Sequence, residues 1–158
     1  MNNTPSQQQH ATVNLQNITW AIKEITVDTS APGSDELSYQ TKTDMQIRND
    51  LTAISLDLQI IVTDAKSEHG KPLAHLTLGL SATVTGLEMF VNGNTANIPN
   101  EFAHQLVIMM SHTARGILMH AGRGTSLEKF PLPLFGAEQI GQAAIQPQTP
   151  PQNQPRVN

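Results

Sequence analysis

The chain has 158 residues, a formal charge of −4 and a pI near 5.8, which bounds it to one domain with one core and gives no basic field for nucleic acid. It has no Cys, so disulfide frameworks, thiolate nucleophiles and cysteine-containing zinc sites are excluded. The opening MNNTPSQQQH has neither a basic start nor an apolar stretch, and no apolar run reaches bilayer length. These features predict a cytoplasmic protein without membrane insertion.

Residues 1–13 are Asn/Gln-rich, and residues 142–158 read QAAIQPQTPPQNQPRVN. Too few large apolar side chains occur in either to offset the entropy of ordering, so both are expected to be disordered tails around a domain at 14–141. The first patterned stretch is Asn14 to Asp28, where Ile18, Trp20 and Ile22 alternate with Thr19, Ala21 and Lys23. The apolar set then changes parity to Ile25 and Val27, which calls for a bulge or for a strand covered on both faces. Ser30 to Asp35 closes it as a turn.

Three more strands follow. Glu36 to Arg48 sets Leu37, Tyr39, Met45 and Ile47 against Ser38, Lys42, Asp44 and Arg48. Leu51 to Asp64 sets Ile54, Leu56, Leu58, Ile60 and Val62 against Asp57 and Gln59, and Leu73 to Gly86 sets Leu76, Leu78, Leu80, Ala82 and Val84 against Thr77, Gly79, Ser81 and Thr83. Short polar loops between strands favour antiparallel pairing, as a meander or as two hairpins.

After a loop at Met89 to Pro99 the period becomes helical from Asn100 to Ala121, with Asn100 placed to cap and Gly122 and Gly124 past the end. The stripe of Phe102, Leu106, Met109, Met110 and Ile117 is widened by Val107, Ile108, Ala114 and Leu118. Its breadth predicts a second buried face, hence an oligomer. Pro131 and Pro133 then make Leu127 to Phe135 an extended arm, followed by a short helix from about Gly136.

No catalytic constellation survives these spacings. His104, His112 and His120 recur every eight residues and turn by about 80° each time, so they do not converge on a metal. Ser111 and His112 point to different helix faces, and Gly122-Arg123-Gly124-Thr125 follows a helix where a phosphate loop would precede one. Neither catalysis nor a cofactor is expected, and the glycines read as a helix end and hinge.

In order of elements the chain resembles the SecB family of export chaperones from Ile18 to Ile140. Lys23-Glu24-Ile25-Thr26-Val27 running on to Ala31-Pro32 is similar to the family's first strand, with two extra residues between its halves. Pro99-Asn100 resembles the opening of its long helix, Arg115-Gly116 falls near that helix's end, and Phe130-Pro131-Leu132-Pro133-Leu134-Phe135 is similar to its leucine- and proline-containing arm. The chain departs from the family in its low aromatic content of 4% and in a Pro/Gln tail where an acidic end is usual.

The resemblance implies an α+β fold, a four-stranded antiparallel sheet with the long helix on one face and a short C-terminal helix. It implies an ATP-independent holdase for unfolded or precursor polypeptides, a homotetramer built as a dimer of dimers. Trp20, Ile22, Ile25 and Val27 would pair across the dimer, and Phe102, Leu106, Met109, Met110 and Ile117 would meet between dimers. Clients would lie on Tyr39, Met45, Ile47, Leu118, Leu127, Phe130, Leu132, Leu134 and Phe135, and the translocase motor SecA would dock at Glu24, Asp44 and Asp57. The competing readings are a holdase dedicated to an antitoxin and a structural or assembly protein with one fixed partner.

Overall fold

The structure is a computed structural model that describes residues 13–31, 33–66, 71–92, 95–133 and 143–146. Four long strands run antiparallel: β1 (Asn14–Val27), β2 (Leu37–Arg48), β3 (Ala53–Asp64) and β4 (Ala74–Thr85). A 3₁₀ turn at Leu87–Phe90 leads to a small hairpin of β5 (Val91–Asn92) and β6 (Thr95–Ala96). Helix α1 (Asn100–Ala121), a single helical turn α2 (Ser126–Lys129) and a short strand β7 (Ala143–Gln146) complete the described elements.

The sheet order is β1-β4-β3-β2-β7-β6-β5. β2, β3 and β4 form a meander, with Met45 opposite Leu56 and Leu58 opposite Leu78, whereas β1 crosses over to pair with β4. This is a Greek-key arrangement, so the meander expectation holds for three strands and not for the first. The connection into β2 is fixed on the far side of the chain, where the Ser34 amide donates to Ser126 Oγ at 2.6 Å.

Alternation makes one sheet face apolar, and α1 closes it. Ile54, Leu56, Leu58, Ile60 and Val62 of β3 and Leu76, Leu78, Leu80, Ala82 and Val84 of β4 are all buried, together with Phe102, Leu106, Met110, Ala114 and Leu118 of the helix. Each of the larger side chains contributes about 1.5–3 kcal/mol by leaving water. The helix therefore satisfies its main stripe against one sheet. Only Met119 stays exposed among its large apolar residues, with Ile108, Met109 and Ile117 half-buried.

Three local expectations are revised. Asn100 is the first helical residue, with Pro99 at the cap position and no side-chain cap. The short helix of the described residues lies at Ser126–Lys129, capped by Thr125 Oγ1, which accepts from the Leu127 amide; the helix expected from Gly136 lies outside the described residues. Ala143–Gln146, within the segment read as a disordered tail, is a strand, while residues 1–12 lie outside the described ones and Val13 packs half-buried on the core.

Gly122 is a packing device and not a hinge. A Cβ there would sit 2.6 Å from Leu127 Cβ and 2.9 Å from the Leu118 carbonyl oxygen, so the glycine lets α2 close over the end of α1. Gly124, at φ 79°, is the one that needs left-handed backbone. Gly122→Ala is expected to destabilise the fold by about 2 kcal/mol through overpacking. Urea unfolding at constant m-value measures this, and an unchanged midpoint would contradict the packing described.

Candidate functional site

β1 is the free edge of the sheet, and its pairing with β4 contains two irregularities. Gln16 faces Thr83 and Thr19 faces Ser81, so Asn17 and Ile18 oppose a single residue; Asn17 takes a φ of 49°, which asparagine tolerates. Ile22 faces Leu78 and Glu24 faces Thr77, which leaves Lys23 unpaired in the ladder. Directly opposed residues share a face, so Trp20, Ile22, Ile25 and Val27 all lie on the helix side. The parity change in the sequence is absorbed by the bulge, and β1 has one apolar face, not two.

That face extends past the helix. α1 packs against β4, and the ends of β1 at Val13, Leu15 and Val27 reach the core. Between them Ile18, Trp20, Ile22 and Ile25 are exposed by 38%, 40%, 52% and 37%. Four large apolar side chains on a long edge strand with no partner among the described residues form a self-complementary surface and an aggregation hazard if left uncovered.

The opposite sheet face is polar. Lys23 Nζ reaches Asp57 Oδ2 at 2.5 Å, passing over Gly79, where a Cβ would come within 2.9 Å of Lys23 Cε. Glu24 Oε1 lies 3.1 Å from His75 Nδ1, and His75 Nε2 lies 3.1 Å from Gln59 Nε2. Asp44 stands opposite Asp57 in register and accepts from Gln46 Nε2 at 3.0 Å. Glu24, Asp44 and Asp57 thus share one face, with Asp57 and Glu24 already engaged. At the end of β1, Asp28 is held well below the usual carboxylate range, at about 2, by hydrogen bonds from Ser30 and Lys71.

The structure separates the residues read as a client groove. Met45, Ile47, Leu118, Leu127 and Leu132 are buried in the core of the single chain, because their alternation and helical spacing place them on the closed face. They do not line an open surface. Tyr39 and Phe130 are half-buried and joined, the tyrosine hydroxyl donating to the Phe130 carbonyl at 2.5 Å, while burial pushes the phenol's pKa up. Leu134 and Phe135 lie outside the described residues. Likewise Phe102, Leu106 and Met110 are buried against the sheet within the single chain, while Met109 and Ile117 stay half-buried.

His104, His112 and His120 are exposed on α1, and no cluster among the described residues could hold a metal ion. Ser111 is fully buried while His112 is exposed, which keeps the two apart, and Ser111 Oγ has no hydrogen-bond partner. Among the described residues no helix is long and apolar enough to cross a membrane.

The arm's two roles can be separated by mutation. Leu132→Ser is expected to cost about 3 kcal/mol or more, since it empties a buried site and adds an unpaired hydroxyl. Phe130→Ser, at a half-buried position, is expected to cost less than about half of that. Equal losses in parallel denaturant titrations would place both residues in the core.

No family model matches the chain and no curated protein does, so the likeness to SecB rests on element order and the local motifs alone.

Proposed function

We propose that this chain is a SecB-like, ATP-independent holdase that assembles with copies of itself through β1 and keeps unfolded polypeptides from aggregating. The observation that supports it most is the strip of Ile18, Trp20, Ile22 and Ile25 at the free edge of the sheet. A soluble chain leaves such a surface uncovered only at the risk of indiscriminate association. A second copy placed by a two-fold axis sets β1 antiparallel to β1 and covers both strips at once.

The elements agree with that reading. A Greek-key sheet with one long helix on its apolar face leaves a polar outer face and an apolar edge. Met89 and Met119, both exposed, are unbranched and adaptable, as a surface for many sequences requires. A basic partner such as SecA would meet the outer face chiefly at Asp44, since Asp57 and Glu24 face Lys23 and His75. A cytoplasmic site of action and a role in export belong to the same proposal.

The test pairs native mass with light scattering. The wild-type protein is expected to run as a homotetramer, or at least a dimer, at micromolar concentration, and to suppress aggregation of two unrelated denatured proteins at stoichiometric amounts. Trp20→Lys with Ile22→Lys is expected to lower the native mass while the chain stays folded. A stable wild-type monomer that leaves scattering unchanged would overturn the proposal, and protection of a single partner only would favour the assembly-protein reading.

A further inference from the structure

The other edge of the sheet is built differently. β7 pairs parallel with β2 over Gln46–Arg48 and antiparallel with β6 over Thr95–Ala96. The β5–β6 hairpin therefore joins the sheet through β7, and β2 and β6 frame a slot one strand wide. Whatever lies in it is held from both sides by main-chain hydrogen bonds, a form of recognition that reads extended backbone and is largely indifferent to side chains.

The resident strand is a weak occupant. It has four residues against the twelve of β2, and its sequence, Ala-Ala-Ile-Gln, offers one large apolar side chain. It pairs with β2 at three positions and with β6 at two, so few main-chain contacts hold it and its opening costs far less than unfolding the core. Pro147 follows directly and cannot extend the ladder.

We propose that the slot between β2 and β6 is a docking site for an extended segment of an unfolded polypeptide, and that β7 is its built-in placeholder, displaced when such a segment enters. The ligand is a proline-free stretch of small and aliphatic residues added as a strand. This rests on the holdase reading and gives it a second address, at the opposite edge from β1. While β7 is in place the outer side of β2 is paired over Gln46–Arg48, and apparent affinity is reduced by the fraction of molecules in which the slot is filled.

The chain has no Cys, so Gln46→Cys with Ala144→Cys introduces its only two thiols at residues that are register partners. Neighbouring strands bring Cα atoms within disulfide range. Oxidation locks β7 and reduction frees it. The probe is reduced, carboxymethylated α-lactalbumin, fluorescently labelled and followed by anisotropy. The oxidised form is expected to bind it about five-fold or more weakly than the reduced form, and a chain ending at Gln142 at least as tightly as the reduced form. Equal affinity of the oxidised and reduced forms, or weaker binding by the shortened chain, overturns the slot and leaves the holdase reading standing. Failure of the disulfide to form in the folded protein removes the β2–β7 pairing and the slot with it. No binding by the reduced form or by the wild type overturns the holdase reading itself.

Discussion

Lys23 is one residue too many for the ladder between β1 and β4, and its side chain crosses Gly79 to meet Asp57 on the polar face. The ion pair is exposed and of little energetic weight by itself. The register it accompanies matters more. A strand reverses its faces at every residue, so without the bulge Ile25 and Val27 would point away from Trp20 and Ile22. With it, the whole apolar set of β1 stands on the helix side.

The helix then determines which part of that set is covered. α1 packs against β4, and its Phe102, Leu106, Met110 and Leu118 share one core with the buried leucines of β3 and β4. The main part of the wide stripe is thus covered within one chain, and the largest exposed apolar strip lies on β1. The two sides of the four-strand sheet differ in how they end. A short strand of the chain itself pairs with β2, whereas the central part of β1 stays exposed among the described residues.

Strand limits, the helix limits and the polar and apolar faces were legible in the sequence because side-chain period reports burial directly. Leu56 and Leu78 could be assigned to a core without knowing their partners. Which strand β1 joins was not legible, since alternation carries no information on neighbours. The bulge was legible as a parity change, yet only the pairing chose it over a doubly covered strand. Met45, Ile47, Leu127 and Leu132 read equally well as core or groove, because apolar character is the same in both; packing assigns them to the core. The strand at Ala143–Gln146 gave no signal, as four residues are too few to show a period and their surroundings are rich in Pro and Gln.

Assembly through β1 is the point on which the functional account turns, and hydrogen exchange of the β1 amides tests it most directly. In the wild-type protein at tens of micromolar, the account predicts slow exchange along Ile18–Ile25, rising on dilution and rising again in the Trp20→Lys, Ile22→Lys double variant while β3 and β4 stay protected. Fast exchange of alternate β1 amides at every concentration, identical in wild type and variant, would show an edge that nothing covers and would contradict it.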